Sequence, residues 1–321
     1  MNGHFGTHSR IYVAGGSGMV GSALVRALRA RGYANLVLRS HRQLDLVDQA
    51  AVHRFMREMR PDYVVLAAAR VGGILANDTL RGDFIYQNLM IEANVIHAAL
   101  EAGVRRLLFL GSSCVYPRDC QQPIREEYLL SGPFEPTNEP YAVAKVAGIK
   151  LCESFNRQFG TRYLSAMPCN LYGPNDNFDP MSAHALPALL RKAHAAKRQE
   201  RRGLPVWGSG RVFREWLYVD DLAEACLLLM EKDAEPGLWN VGAGYDLTVA
   251  ELAQAVMRVV GLEGAIEFDP SRPDGMPRKL LDSSRIRALG WQPRTRLMEG
   301  IARTYDWCLR NDVFESERAA A

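Results

Sequence analysis

The sequence predicts an α/β fold built on a doubly wound parallel sheet, and three observations predict it. Short apolar runs alternate with stretches of helical periodicity through the first half of the chain. Those runs are apolar at every position rather than every second one, which suits strands covered on both faces. The first of them leads straight into a glycine-spaced turn that opens a helix.

Residues 11–14 (Ile-Tyr-Val-Ala) form the first strand, and a helix follows over 22–31, closed by Gly32. Residues 36–38 give a second strand, 50–59 a helix and 63–67 a third strand. A long helix over 88–102 ends at Gly103 and precedes a fourth strand at 106–110. Further on, 141–159 is strongly helical, 163–167 is a strand and 185–196 a helix. From about residue 176 the alternation decays and the loops grow rich in Pro, Gly and Trp, so a smaller C-terminal substrate lobe is expected. Residues 216–219 (Trp-Leu-Tyr-Val) are expected to rejoin the main sheet, which would interleave the lobes. The expected division is 1–175 for the dinucleotide-binding domain, with about 212–245 returning to it, and 176–321 mainly for the second lobe.

Bulk properties narrow the function. A chain of 321 residues with 48% hydrophobic and 23% charged residues is an ordinary globular enzyme by composition. A net charge of +3 with dispersed basic residues argues against nucleic acid. The local cluster Lys197, Arg198, Arg201 and Arg202 reads as a solvated helix end. Six scattered cysteines without metal-ligand spacing predict free thiols, no metal site and a reducing compartment. No apolar run reaches membrane-spanning length and no signal peptide is evident, so a cytoplasmic location is expected.

The glycine motif is Gly15-Gly16-Ser17-Gly18-Met19-Val20-Gly21. Gly15 permits the strand-to-helix turn, Gly18 lets a pyrophosphate approach the backbone, and Gly21 lets helix and strand pack closely. A strand before it and a helix after it turn a weak glycine signal into a Rossmann-type dinucleotide site. At the end of the second strand stand Arg39-Ser40-His41-Arg42, with no carboxylate until Asp45. An arginine there meets a 2′-phosphate where an acid would hold ribose hydroxyls, which points to NADP.

Ser112 follows the fourth strand, where a doubly wound sheet places its crevice. Tyr141 and Lys145 are four residues apart in a helix and share one face. A free phenol titrates near ~10, and a nearby ammonium is expected to lower that value. Glycine turn, serine and Tyr-x-x-x-Lys in this order predict a nicotinamide oxidoreductase. Cys114 lies two residues past Ser112, and His184 opens a helix after a loop. Taken singly, such a cysteine or histidine is more often structural than catalytic. The remaining histidines, including His4, His8, His53, His97 and His194, carry no functional argument.

Several longer segments are more specific. They are Gly-Ser-Ser-Cys-Val-Tyr-Pro at 111–117, Thr-Asn-Glu-Pro-Tyr at 137–141 and Ala-Gly-Ile-Lys-Leu-Cys-Glu at 147–153. To these add Asn-Leu-Tyr-Gly-Pro at 170–174, Asp-Asn-Phe at 176–178, Val-Trp-Gly-Ser-Gly at 206–210 and the stretch 273–282. Together they resemble the GDP-L-fucose synthase family of extended short-chain dehydrogenase/reductases over residues 11–307. The resemblance implies NADPH as cofactor, GDP-4-keto-6-deoxy-D-mannose as substrate, and a homodimer joined through a four-helix bundle. Ser112, Tyr141 and Lys145 match the family's reductase triad, and Cys114 and His184 its epimerisation pair. Cofactor contacts are implied for residues 15–21, Arg39, Arg42, Asp45, Leu46, Leu110, Gly111, Ser113, Lys145, Pro168, Asn170, Leu171 and His184. Asn170, Lys192, Trp207, Arg214 and Asp274 fall where relatives hold the GDP-sugar. Ser17 and His41 stand where relatives carry arginine, and Lys192 offers a point charge in place of an arginine fork. Cys169 and Ala185 replace the threonine and valine usual in the family.

On this reading the C4 ketone acidifies C3 and C5, Cys114 and His184 exchange protons on opposite faces, and C4 is then reduced with a proton from Tyr141. Two alternatives stand beside it. One is another nucleotide-sugar 4-epimerase or 4,6-dehydratase; a dehydratase usually carries Asp or Glu beside the catalytic Ser or Thr, where Ser113-Cys114 lie here. The other is a non-catalytic dinucleotide-binding protein, against which the intact Ser112, Tyr141 and Lys145 argue.

Overall fold

The computed structural model describes residues 5–272 and 274–315. Strand β1 (Ile11–Ala14) runs into α1 (Met19–Ala30), then β2 (Leu36–Val37), α2 (Gln49–Met59) and β3 (Tyr63–Leu66). A short α3 (Ile74–Thr79) and the long α4 (Arg81–Glu101) lead to β4 (Arg106–Leu110). Helix α5 (Glu139–Phe159) follows, then β5 (Leu164–Pro168) and β6 (Asn170–Tyr172). The rest of the chain is α6 (Ala185–Arg198), β7 (Gly203–Trp207), β8 (Phe213–Tyr218), α7 (Val219–Glu231), β9 (Gly237–Val241) and β10 (Asp246–Thr248). It closes with α8 (Val249–Val260), β11 (Ala265–Asp269), β12 (Arg278–Lys279), α9 (Ser284–Ala288) and α10 (Leu297–Arg310).

Six strands form one sheet in the order β2-β1-β3-β4-β5-β9, every pair parallel. The order reverses between β1 and β3, and that switch point is where such a sheet opens a crevice. Strands β1, β3, β4 and β5 are buried at every residue, as their unbroken apolar runs require.

Local chemistry fixes the helix ends. The Asp48 carboxylate accepts from the Ala51 amide at 3.0 Å and starts α2. Pro140 sits in the first turn of α5, and Gly160 closes that helix with φ 66°. Thr248 and Glu251 form a reciprocal capping box on α8. Helix α4 starts seven residues before the expected 88, because Phe84 already packs inside.

One expectation fails. Residues 216–219 do not rejoin the main sheet: β8 pairs with β6 and β12 in parallel and with β10 antiparallel. The edge position beside β5 belongs to β9, which pairs with it over its whole length. The β8 segment still touches both cores, since Leu217 packs with the main sheet and Trp216 and Tyr218 with a second cluster under α6, α8 and α10. An apolar run buried on both faces is the same signal in either sheet, so the sequence alone does not choose between them. Among the described residues no helix is long and apolar enough to cross a membrane.

Candidate active site

The glycine turn occupies the switch point between β1 and β3. Gly15 has φ 79°, and a Cβ on it would fall 2.8 Å from the Ala68 amide nitrogen beyond β3. A Cβ on Gly21 would meet the Gly15 carbonyl oxygen at 2.0 Å, so the turn itself demands glycine at both positions. Gly18 differs. It caps α1, and its nearest contact to an added Cβ is an ordinary 3.6 Å. The fold leaves that face open toward the crevice, as a backbone that receives a pyrophosphate should be, with the α1 N-terminus behind it.

Beyond β2, Arg39 is half-buried: its guanidinium lies 5.4 Å from the Phe55 ring centre and donates to the Leu38 carbonyl at 2.8 Å. Arg42 is exposed, and His41 lies 3.9 Å from Asp45. The Asp45 carboxylate accepts from the Val47 amide at 3.0 Å. The Leu46 carbonyl accepts from the Asn94 side chain at 2.9 Å, which ties this loop to α4. The cationic side chains therefore flank the loop that would receive an adenosine 2′-phosphate.

The end of β4 carries the reacting groups. The Gly111 amide donates to the Ala166 carbonyl at 2.9 Å, and Met167 fills the space a side chain would need. Ser112 leads into a tight turn in which its hydroxyl accepts from the Cys114 amide at 3.3 Å. Ser113 and Cys114 are buried beneath it. Lys145 is buried on α5, and its ammonium donates to the Leu110 carbonyl at 3.0 Å. Tyr141, one turn earlier, meets Phe84 edge to face.

The expected lowering of the Tyr141 phenol by Lys145 is not found. Burial, then Cys114 and Glu92, push that phenol well above its ordinary range. The physical reason is that the Lys145 ammonium faces Glu92 at 3.0 Å and stands 5.6 Å from the tyrosine ring centre. Tyr141 therefore holds its proton at neutral pH, the state a proton donor needs.

Burial likewise raises the Cys114 thiol, opposed by Lys279, the Ser112 hydroxyl and Lys145. His184 caps α6, and withdrawal of water followed by the Lys279 cation lowers its imidazole. One lysine thus acts on both members of the expected epimerisation pair. Lys279 itself is lowered by burial first and raised by Cys114. It lies within the 273–282 segment, whose resemblance was legible but whose role was not; Pro273 falls outside the described residues.

On the substrate side, Pro168 ends β5 and Asn170 and Leu171 open β6, where the Asn170 side-chain Nδ2 donates to the Glu215 main-chain carbonyl at 2.9 Å. Trp207 is 47% exposed, with the Lys192 ammonium 4.8 Å and the Arg272 guanidinium 4.9 Å from its ring centre. Arg272 was not anticipated. Burial lowers the Arg214 guanidinium to about 10, which leaves it charged at neutral pH. Lys192, lowered by burial and then by Arg272, also donates to the Pro205 carbonyl at 3.3 Å. Away from this site, His53, His97 and Glu101 cluster between α2 and α4, and a 2.7 Å His53–Glu101 hydrogen bond accounts for the arrangement.

Comparison with known proteins places this geometry. Residues 11–242 match the NAD dependent epimerase/dehydratase family. The chain is 54% identical over 311 residues to a GDP-L-fucose synthase of Escherichia coli (strain K12), covering 94% of this chain and 97% of that one. It is 52% identical to GDP-L-fucose synthase 1 of Arabidopsis thaliana, over 94% of each chain. A GDP-L-fucose synthetase from Naegleria fowleri bound to NADP superposes with a TM-score of 0.88 at 28% identity, covering 97% of this chain and 95% of that one. The chain therefore belongs to the NAD dependent epimerase/dehydratase family and, within it, to the GDP-L-fucose synthases.

Proposed function

We propose that this protein epimerises GDP-4-keto-6-deoxy-D-mannose at C3 and C5 and reduces it at C4 with NADPH, giving GDP-L-fucose. The observation that carries the reading is the convergence of Ser112, Cys114, Tyr141 and Lys145 at the β4–α5 junction, beside a glycine turn whose central residue is open. That open backbone, the α1 N-terminus and the Arg39 guanidinium fit a dinucleotide with a 2′-phosphate. When bound, NADPH contributes hydride transfer to C4.

The chain's own residues do the rest. Ser112 and Tyr141 hydrogen-bond the C4 oxygen and stabilise the enolate that forms when C3 or C5 loses a proton. Cys114 and His184 hold the exchanging protons; the pair rests as thiol and neutral imidazole, and Lys279, Ser112 and Lys145 favour the thiolate. After epimerisation Tyr141 gives its proton to the C4 oxygen as it becomes an alkoxide. Arg214 and Lys192 meet the diphosphate, and Trp207 offers a flat face to the nucleotide. A homodimer formed across α4 and α5 is part of the proposal, supported by exposed Tyr86 and Val143 on those helices and testable by light scattering. Free thiols throughout the described residues support a reducing, cytoplasmic setting.

The test is incubation with GDP-4-keto-6-deoxy-D-mannose and NADPH, with NMR identification of the sugar. GDP-L-fucose is expected; a D-series 6-deoxy sugar as sole product would reduce the protein to a simple reductase.

A further inference from the structure

Helix α4 buries a carboxylate that the mechanism above leaves unused. Glu92 Oε1 and Lys145 Nζ lie 3.0 Å apart, and each side chain is only 2% exposed. The ammonium donates to the Leu110 carbonyl at 3.0 Å and forms an ion pair with the Glu92 carboxylate. The aromatic walls are close, with Phe109 centred 4.7 Å and Tyr141 5.6 Å from Nζ.

The surrounding helix is shaped for this carboxylate. A Cβ on Gly148 of α5 would stand 2.8 Å from Glu92 Oε2 and 2.6 Å from the Phe109 ring. Taking two charges out of water costs stability, so the buried pair is not explained by packing alone. An apolar side chain at position 92 would fill the same space at less cost.

We propose that Glu92 is a positioning residue for the reduction: it fixes the Lys145 ammonium at the cofactor site and places a carboxylate beside the Lys145–Tyr141 pair. This rests on the reading of Tyr141 as proton donor. The groups that bear on Tyr141 are Cys114 from the turn after β4, Glu92 from α4 and Lys145 from its own helix. Those that bear on Glu92 are Lys145 and, across α5, Tyr141 and Cys152. Glu92 is the one carboxylate among these groups; burial raises it, and the Lys145 ammonium beside it opposes that shift.

The experiment compares Glu92→Gln, Glu92→Asp and Tyr141→Phe with the parent. It measures pH profiles of the reductive step and NADPH affinity by fluorescence. Glu92→Gln should bring the alkaline fall-off about one pH unit earlier than in the parent, because a negative charge near the phenol is gone. It should also weaken NADPH binding several-fold while leaving the KM for the GDP-sugar unchanged. Glu92→Asp keeps the charge at shorter reach, so it should retain the parent's fall-off and weaken NADPH binding; if the Gln variant does not fold, this one carries the test. A Glu92→Gln profile that superimposes on the parent's, beside a crippled Tyr141→Phe, overturns the proposal alone. So does a Glu92→Asp enzyme that binds NADPH as tightly as the parent. A Tyr141→Phe enzyme that reduces at the parent rate overturns the donor reading instead.

Discussion

Arg214 donates to the main-chain oxygen of Asp274 at 3.0 Å, while the Asp274 carboxylate accepts from the Ser209 amide at 2.7 Å. Residues sixty apart in sequence thus form one unit that holds a cation beside the turn carrying Gly208, whose φ is 81°. Asp274 acts here as a support for Arg214 and the 208–209 turn.

Arg214→Ala should therefore raise the KM for the GDP-sugar by roughly 10- to 100-fold, the equivalent of about 1.5–3 kcal/mol for lost charge-assisted hydrogen bonds. The KM for NADPH should change little. Steady-state kinetics with each substrate varied in turn checks this. An unchanged sugar KM would transfer diphosphate recognition to Lys192 and Arg272, which stand 4.8 Å and 4.9 Å from the Trp207 ring centre.

The glycine turn separates folding from binding. Gly18→Ala places its methyl 3.6 Å from the nearest atom, so the fold and Tm should survive. NADPH affinity should fall on the order of tenfold or more, since the methyl intrudes on the ligand at a cost of about 1–3 kcal/mol. Gly21→Ala drives a methyl to 2.0 Å from the Gly15 oxygen and should lower Tm sharply. Thermal scans with and without NADPH tell the two effects apart; equal losses of Tm would refute the distinction.

Proton exchange at C3 and C5 can be watched without NADPH, by deuterium entering the sugar in D₂O. Cys114→Ser replaces a thiol by a much weaker acid of similar size and should abolish most exchange while NADPH still binds. His184→Gln should lower complete epimerisation more than cofactor affinity, because the amide cannot return a proton. Parent-like exchange in both variants would assign the epimerisation to other residues.

Asp176 precedes the loop to His184 and has one oxygen on the Asn177 amide at 2.7 Å and one buried without a partner. Burial raises it from 3.8 to about 7. Its folded-state value exceeds the unfolded one, so the native protein binds more protons between those two values. Stability must then decline as pH rises from about 4 to 7, and the penalty is complete above 7. Asp176→Asn keeps the acceptor and removes the titration. It should raise Tm by roughly a few degrees at pH 8 and leave it unchanged at pH 4. A Tm gain equal at both pH values would show that ionisation of Asp176 plays no part.

What the sequence determined by itself is local or periodic. The strand at 11–14, the glycine turn behind it and the strand at 106–110 follow from unbroken apolar runs and from glycine's access to positive φ, and they stand where expected. The Tyr141–Lys145 spacing follows from helical geometry in the same way. Tertiary structure decided whatever depends on which distant surface a residue meets. The 216–219 run could serve either sheet, and only the pairing of β9 with β5 excluded it from the larger one. Glu92 reads in sequence as one polar residue in a long helix, yet the packing of α4 on α5 makes it the counter-charge of Lys145. The direction of the Tyr141 shift was set there too: spacing along one helix gives proximity to a cation, but an ammonium already paired with a buried carboxylate no longer offsets the cost of burying a phenolate.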